Sequence, residues 1–366
     1  MQEPSPVKAP ARLLSLDAFR GAIMLLMVLV NDAGGRQSYT QLEHSAWHGW
    51  TLTDTVFPSF LWIVGVAITL SLGKRLAAGI TPGQLLPKIF RRSVLLYVLG
   101  LAVYAFPAFS WQQQRLLGVL QRIAICYLIA SIIFLYTGLR AQIAWIIGLF
   151  TVYWLLMALV PVPGFGAGHF DVDRNFAHYI DRIVLGSHNY AQTKTWDPEG
   201  VVSTLPAIGS TLLGIMAGHV LRLNRTLAAR RQRLFIIGAF LIALGLIWNI
   251  WLPINKKLWT DSFATLMAGL DFVALALFVW IVDERGYQKV VLPLRIVGMN
   301  AITIYLASEF LAEFLDATSI HRYTYEHWFA PFASPANASL LWALAFTLLM
   351  YLLGYFMYRR QWFLRL

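Results

Sequence analysis

The sequence has few charged residues and almost no cysteine, and both shortages exclude common classes of protein. Only 13 % of its 366 residues are charged, whereas soluble domains carry about 25 %. A soluble enzyme with a large core is therefore excluded. The single cysteine, Cys126, lies within an apolar run, so the chain can form neither an internal disulfide framework nor a cysteine-based zinc cluster. Cys126 also has no histidine beside it in sequence, which argues against a thiolate enzyme.

Apolar residues make up the difference, and they are arranged in long runs. They account for 58 % of the chain, and the mean hydropathy is +0.62. Runs of about 17–24 residues are long enough to cross a hydrocarbon core of about 30 Å, and helices satisfy their own backbone groups in lipid. We therefore predict an all-α, polytopic membrane protein. It has one domain over residues 1–366 and about ten transmembrane helices, at 15–32, 54–73, 90–106, 115–137, 141–161, 201–221, 233–252, 259–282, 292–314 and 339–358.

Basic residues are distributed unevenly between the predicted loops. With a cytoplasmic N-terminus, the inner segments hold 19 Lys and Arg residues and the outer segments hold 8. This bias satisfies the positive-inside rule when both termini are cytoplasmic. We expect residues 1–14 to be a cytoplasmic tail, the first helix to be retained rather than removed as a signal peptide, and residues 162–200 to be the largest outer loop. The net charge of +11 then matches anionic lipid headgroups, and nucleic acid is not an expected partner.

Three polar residues gather where the first two predicted helices meet the outer side. Asn31 ends the first helix, His44 lies in the connecting segment EHSAWHGW, and Asp54 begins the second helix. An imidazole between an amide and a carboxylate can act as a general base or as a transient nucleophile. Two other readings stay open, because Asp54 can simply cap its helix and His44 can be an ordinary polar loop residue.

Further ionisable residues lie at or within the predicted spans, where they are functional candidates by default. Arg115 and Arg122 are seven residues apart, so a helix would place them on one face, where they could bind a phosphate or carboxylate. The alternative for Arg122 is a salt bridge with Asp271. Glu309, within the ninth predicted span, is another candidate for binding substrate. The segment WDPEG, residues 196–200, is expected to be a turn that caps the sixth helix.

Several segments, in this order along the chain, resemble the heparan-α-glucosaminide N-acetyltransferase family. The resemblance extends over about residues 12–358 and is carried by RLLSLDAFRGAIMLLMVLVNDAGG, EHSAWHGWTLTDTVFPSFLWIVGVAI, LLGVLQRIAICYLIA, WDPEGVVSTLPAIGSTLLGIMAGH, NKKLWTDSFATLMAGL and GMNAITIYLASE. The lysosomal member of that family moves an acetyl group from cytosolic acetyl-CoA to the free amine of a terminal glucosamine on the lumenal side. The resemblance therefore implies a transmembrane acetyltransferase that uses acetyl-CoA and an amino-sugar acceptor.

The resemblance also implies roles for particular residues. The family's active histidine lies in a motif of the form His-small-small-Trp-x-Gly, which matches His44 to Gly49. Its asparagine before this motif matches Asn31, and its aspartate at the start of the next helix matches Asp54. We expect His44 to be the acetyl carrier or the general base, Asn31 to bind the thioester carbonyl, Asp54 to orient the imidazole, and Trp47 to stack on the sugar.

For the donor, we expect the acetyl-CoA head group to bind Arg91, Arg92 and Arg295, with Asn300 lining the path of the pantetheine arm. No metal is expected. The resemblance begins near residue 12, so we expect a bacterial-type member without the family's lumenal N-terminal domain. Its site would face the periplasm from the inner membrane, its acceptor would be an envelope amino sugar, and a homodimer is left open.

Two other functions compete with this reading. One is a transporter or lipid-carrier flippase without chemistry, which the same polar residues in the membrane could serve. Transporters commonly show internal repeats and paired broken helices, and no repeat is visible in the sequence. The other is an O-acyltransferase that modifies a hydroxyl of an envelope glycan. The sequence also leaves open whether transfer proceeds in one step or through an acetylated histidine.

Overall fold

The computed structural model describes residues 13–364, and helices dominate them. No strand occurs within this range, which is the all-α architecture that the apolar runs predict. Residues 1–12 of the predicted cytoplasmic tail lie outside the described residues, as does Arg365. The thirteen α-helices of the described part are α1 Leu14–Asn31, α2 Leu52–Ala77, α3 Pro82–Ala105, α4 Val119–Tyr136, α5 Leu139–Leu159, α6 Phe176–Leu185, α7 Thr204–Arg222, α8 Leu227–Trp248, α9 Asp261–Phe278, α10 Leu292–Met299, α11 Ala301–Ala317, α12 Ile320–Thr324 and α13 Pro335–Arg359.

Each of the ten predicted spans coincides with one of these helices or with two in succession. Within the described residues, eight helices are long and apolar enough to cross a membrane, and α10 with α11 makes a ninth if the pair is one span. The tenth, α3, has 24 residues but carries Lys88, Arg91 and Arg92 in its first half. The polytopic helical bundle is thus confirmed, whereas the side of the membrane on which each end lies stays a prediction.

The helices divide into an inner group at the centre of the bundle and an outer group at its periphery. In α2 and α7, 72 % and 78 % of the most apolar stretch is buried, against 17 % in α8 and 28 % in α5 and α13. The outer helices expose large apolar side chains such as Trp154, Phe240 and Leu348. Such surfaces are what a bilayer covers, because lipid solvates apolar side chains as well as a protein core does. The inner helices therefore form the frame on which a site can be built.

Two glycines bring α2 and α7 into close contact. A Cβ atom added at Gly65 would lie 1.9 Å from the carbonyl oxygen of Thr211, and one added at Gly214 would lie 2.0 Å from that of Trp62. Only a residue without a side chain permits this approach of the two backbones. The crossing fixes the start of α2, which carries Asp54, relative to the turn that precedes α7.

The ninth predicted span, residues 292–314, is not one continuous helix, and that part of the prediction is wrong. The chain bends by 78° between α10 and α11. Asn300 has left the helical conformation, with φ −121° and ψ 29°, and its Nδ2 donates a hydrogen bond to the carbonyl of Trp362, 3.1 Å away. Gly298 lies against the backbone of α1, where a Cβ would meet the carbonyl oxygen of Asp17 at 2.0 Å. This close contact with α1 holds α10 while α11 continues in another direction.

Three connections that the predicted topology puts on the same side do meet at one end of the bundle. We name residues 32–51 the histidine loop, residues 249–260 the lysine loop and residues 196–200 the acidic turn. The histidine and lysine loops pair at Gly49 and Asn255. The segment 162–200 was predicted as the largest outer loop, and residues 176–185 within it form α6. Asn175 caps that helix by accepting from the backbone N–H of His178 at 2.9 Å.

Candidate active site

His44 and Asp54 form a hydrogen-bonded pair at the N-terminal end of α2. Nδ1 of His44 lies 2.7 Å from Oδ1 of Asp54. An ionised carboxylate only accepts hydrogen bonds, so Nδ1 donates to it, and in the neutral form of the ring the lone pair is on Nε2. Oδ2 of Asp54 meanwhile accepts from the backbone N–H of Thr51 at 3.1 Å, which completes a capping box. Asp54 therefore caps its helix and orients the imidazole at the same time.

The histidine loop is held in place by its own polar groups. The backbone N–H of Ser45 donates to Oδ2 of Asp54 at 3.0 Å, and the hydroxyl of Thr51 donates to the carbonyl of Glu43 at 2.6 Å. These bonds fix the backbone on both sides of His44. The imidazole itself remains accessible, since 51 % of the side chain is exposed. A fixed and accessible base is what general base or nucleophilic catalysis requires.

Trp47 attaches the same loop to the segment that contains α6. Its Nε1 donates to the carbonyl of Phe170 at 2.9 Å. Its ring packs edge-on against His178 and Trp196, which stack on each other with centroids 4.2 Å apart. Burial lowers the pKa of His178 to about 3, so this ring is neutral at physiological pH. Trp47 thus has a clear structural role, and its stacking on a sugar stays a proposal.

The lysine loop brings a residue to the pair that the sequence reasoning missed. Nζ of Lys256 lies 3.1 Å from Nδ1 of His44 and 3.5 Å from Oδ1 of Asp54. Burial lowers the pKa of Lys256, while the carboxylates of Asp54 and Glu199 oppose that change. The only sign of Lys256 in the sequence was its place in NKKLWTDSF, one of the segments that carry the family resemblance.

A cavity of about 960 Å³ lies beside the pair and reaches between the helices. Its volume is within the range of small-molecule sites, about 300–1,000 Å³. It brings together six of the residues predicted from the sequence, since its lining includes Asn31, His44, Trp47, Asp54, Arg115 and Glu309. Residues far apart in sequence thus share one space that a substrate can enter.

One wall of the cavity is acidic. Glu309 on α11 is hydrogen-bonded by the side chain of Asn31, and Asp32, Glu313 and Asp316 also line the cavity. Burial raises the pKa of Asp32 well above its usual value, and the carboxylates of Glu309 and Asp316 raise it further. Because these carboxylates repel one another, this wall favours a positively charged group.

Arg115 is engaged by the acidic turn. Its Nε and Nη2 donate to the carboxylate of Asp197 at 2.8 and 2.6 Å, its Nη2 also pairs with Glu199, and its Nη1 donates to the hydroxyl of Tyr104 at 2.9 Å. Burial alone would raise the pKa of Glu199, but the positive charges of Arg115, Arg122 and Lys256 hold it below its usual value. The acidic turn is therefore more than a cap for α7, because its two carboxylates form buried ion pairs with Arg115.

The predicted arrangement of Arg115 and Arg122 on one helix face is wrong. The helix α4 begins at Val119, after Gly118 in an extended conformation, so Arg115 lies in the preceding loop. Arg122 is fully buried, and its Nη2 donates to the carbonyl of Gly200 at 3.1 Å and to the hydroxyl of Ser203. The predicted salt bridge to Asp271 is not the one formed, since Asp271 instead accepts from Ser59 at 2.5 Å. Arg122 does not line the cavity of His44.

The residues predicted for acetyl-CoA lie apart from this cavity. Arg91 is exposed on α3, and the guanidinium of Arg92 lies 5.0 Å from the centre of the Tyr127 ring. Arg295 is on α10, and Asn300 is buried at the bend, where its Oδ1 has no hydrogen-bond partner among residues 13–364. None of these four is among the residues that line the cavity, so their part in donor binding stays a proposal.

Two comparisons with known proteins bear on this site. The profile of a family described as "Heparan-alpha-glucosaminide N-acetyltransferase, catalytic" matches residues 12–253. The chain is 30 % identical to the heparan-alpha-glucosaminide N-acetyltransferase of Mus musculus, over 83 % of this chain and 54 % of that protein. It is 31 % identical to the protein of the same name from Homo sapiens, over 82 % and 53 %. The chain spans about half the length of these curated relatives.

Proposed function

Because the chain belongs to the heparan-α-glucosaminide N-acetyltransferase family, we propose that it transfers the acetyl group of acetyl-CoA to the amine of a glucosamine-like sugar. The observation that carries this proposal is the 2.7 Å contact between His44 and Asp54 on the wall of a cavity of about 960 Å³. The pair supplies a base, and the cavity supplies space for a thioester and an amine. The reaction would take place at the outer end of the bundle.

In a direct transfer, His44 acts as the general base. The neutral acceptor amine attacks the thioester carbonyl carbon, the C–N bond forms and the C–S bond breaks. Nε2 of His44 accepts the proton that the nitrogen loses, and the imidazolium then returns it to the departing thiolate of CoA. Asp54 stabilises the transient imidazolium through Nδ1, and the amide of Asn31 would bind the developing oxyanion.

In a two-step transfer, His44 carries the acetyl group. Nε2 attacks the thioester carbon, the C–S bond breaks and CoA leaves as its thiolate. The acceptor amine then attacks the acetyl carbon, the bond to Nε2 breaks, and the proton lost by the amine goes to the thiolate. Both routes need a lone pair on Nε2 and a hydrogen bond from Nδ1–H to Asp54, so the same geometry serves either.

The acidic wall of the cavity would bind the acceptor. A free amino sugar is an ammonium ion at neutral pH, and Glu309, Asp32 and Glu313 attract that charge into the cavity. One of these carboxylates then accepts a proton from the ammonium, which leaves the neutral amine that attacks the acetyl group. Trp47 lies on the same cavity and offers a ring for the sugar face. A hydroxyl acceptor carries no positive charge, so this wall favours N-acetylation over the alternative of O-acylation.

The donor would reach the site from the opposite side of the membrane. We propose that the phosphates of acetyl-CoA bind Arg91, Arg92 and Arg295 and that the pantetheine arm passes Asn300. The membrane would be a bacterial inner membrane, with both termini in the cytoplasm and His44 facing the periplasm. A homodimer is compatible with this arrangement but is not needed for it.

The transfer itself is the direct test of this function. The purified protein in detergent is mixed with acetyl-CoA labelled in the acetyl group and with glucosamine, and the products are separated. We expect labelled N-acetylglucosamine to form in proportion to the amount of protein. If no labelled product forms although acetyl-CoA binds, the acceptor assignment is wrong; if acetyl-CoA does not bind either, the transferase assignment is wrong.

Asp54→Asn is expected to reduce the rate of transfer by about a hundredfold or more, with little change in KM for acetyl-CoA. The amide keeps the size of the side chain, but it lacks the negative charge that stabilises the imidazolium, and general base catalysis contributes about 10²–10⁴. The measurement is kcat and KM for the variant, with Glu43→Gln as the control because Glu43 is an exposed acid next to His44. Equal losses in both variants would show that Asp54 has no special role.

One observation favours the transporter reading. The break between α10 and α11 resembles the discontinuous helices that line the sites of many transporters. Such helices usually occur in pairs related by internal symmetry, and the residues described here contain one bent pair. Transport of labelled glucosamine into proteoliposomes without acetylation would support this second function.

A further inference from the structure

Lys256 is the one cation in contact with the His44–Asp54 pair, as far as the described residues show. Its Nζ lies 3.1 Å from Nδ1 of His44 and 3.5 Å from Oδ1 of Asp54, and 15 % of its side chain is exposed. Residues 44 and 256 belong to loops that only the fold brings together. The proposed reaction as described above needs His44, Asp54 and Asn31, and it leaves this lysine without a role.

The lysine is not needed to attach its loop to the histidine loop. The backbone N–H of Gly49 donates to the carbonyl of Ile254 at 2.8 Å, and Nζ of Lys257 donates to the carbonyl of Ala46 at 2.6 Å. These bonds hold the two loops together on their own. Lys256 instead extends to the pair itself, where its positive charge acts on the imidazole.

One carboxylate oxygen of the pair, Oδ1 of Asp54, contacts two nitrogen groups. Oδ1 of Asp54 accepts from Nδ1–H of His44 and lies within reach of the ammonium of Lys256. When Nε2 also takes a proton, two positive charges share one carboxylate about 3 Å apart, which disfavours the protonated ring. A carboxylate alone would have the opposite effect and would hold the imidazole in its charged form, which is neither a base nor a nucleophile.

We propose that Lys256 is a positioning residue that keeps the His44 imidazole neutral while Asp54 orients it. This inference rests on the proposed function, since both routes of acetyl transfer require an Nε2 that carries no proton. With Lys256 present, Asp54 can accept the hydrogen bond from Nδ1–H without stabilising a second proton on Nε2. The same charge would make an acetylated imidazolium less stable and therefore quicker to give up its acetyl group.

The other charged groups around the pair are accounted for. Lys257, on the same loop, lies near enough to Asp54 to interact with it but donates to Ala46. Glu199, from the acidic turn, attracts Lys256 and is itself paired with Arg115. Glu43, next to His44, is exposed and accepts from the backbone of Ser38 at 3.2 Å. His48 contacts the side-chain amide of Asn255 at 3.4 Å. Lys256 therefore remains the nearest source of positive charge.

The test measures the protonation of His44 without relying on acetyl transfer. Diethyl pyrocarbonate modifies the neutral form of a histidine ring and not the imidazolium, and the exposed side chain of His44 is accessible to it. The rate at which His44 is modified is followed by peptide mass spectrometry between pH 5 and 8. We expect Lys256→Met to move the midpoint of this rate profile up by about one pH unit, because removing the like charge favours the protonated ring.

Three variants define the outcome. Lys256→Arg keeps the charge and is expected to restore the midpoint of the unmodified protein, Asp54→Asn to move it down, and Arg36→Gln, which removes an exposed outer charge, to leave it unchanged. An unshifted midpoint in Lys256→Met would overturn the inference, even if the protein proves to be an acetyltransferase. If the midpoint shifts but glucosamine is not acetylated, Lys256 does act on the protonation of His44, and it is the proposed function that fails.

Discussion

Replacing His44 by alanine is expected to lower acetyl transfer to glucosamine by about a hundredfold to ten-thousandfold. Among the described residues that line the cavity, His44 carries the one imidazole held against a buried carboxylate, and removing a base that also acts as proton donor lowers the rate by about 10²–10⁴. Asp54 is then left with Lys256 and its capping bonds, so the start of α2 stays folded. The measurement is the initial rate of labelled N-acetylglucosamine formation with both substrates saturating.

His48→Ala is the matched control for that experiment. His48 lies four residues further along the same loop, but its Nδ1 faces the side-chain amide of Asn255 at 3.4 Å and no carboxylate. We expect His48→Ala to retain most of the activity and to fold as well as His44→Ala does. Comparable losses in the two variants would mean that the loop, rather than the His44 side chain, is what the reaction needs.

The largest effect on stability is expected from Arg115→Leu. This change removes the partner of two buried carboxylates, those of Asp197 and Glu199, and leaves their negative charges close together. Breaking a buried ion pair by deleting one member costs about 3–5 kcal/mol. The acidic turn is expected to detach from the cavity, so the Tm in detergent falls and acetyl transfer falls with it. Thermal unfolding monitored by tryptophan fluorescence gives the change in Tm.

Arg322→Leu is the control for the arginine substitution. Arg322 also pairs with a glutamate, Glu326, at 2.9 Å, but 80 % of the Arg322 side chain is exposed. Water and salt screen such a pair, so we expect almost no change in Tm. Arg115→Leu with the Tm of the unmodified protein would contradict the assignment of Arg115 as the centre of a buried ion-pair cluster.

The helices could be predicted because apolar runs of bilayer length leave the chain little choice. The failures occur where contacts between helices decide the local conformation. Nothing in the run from 292 to 314 predicts the bend at Asn300, which depends on Gly298 lying against α1 and on the carbonyl of Trp362. The start of α4 was predicted four residues too early. Arg115 lies in the loop before the helix because its guanidinium pairs with the acidic turn.

The candidate site was predictable in part for a similar reason. His44 and Asp54 are ten residues apart, so a loop and a helix start suffice to bring them together, and the family motif marked both. Glu309 could be named only as a carboxylate in a span; its contact with Asn31 joins α11 to α1. Lys256 was missed because its loop lies more than two hundred residues from His44, and a lysine in an outer loop is ordinarily a solvated charge.

The measurement that tests the central claim most directly uses proteoliposomes with the donor and the acceptor on opposite sides. Acetyl-CoA labelled in its acetyl group is supplied on the side of Arg91 and Arg92, glucosamine on the side of His44, and the label in N-acetylglucosamine is followed with time. We predict that labelled product accumulates on the glucosamine side and that His44→Ala liposomes produce almost none. Movement of unmodified glucosamine across the membrane, with no labelled product, would contradict the account.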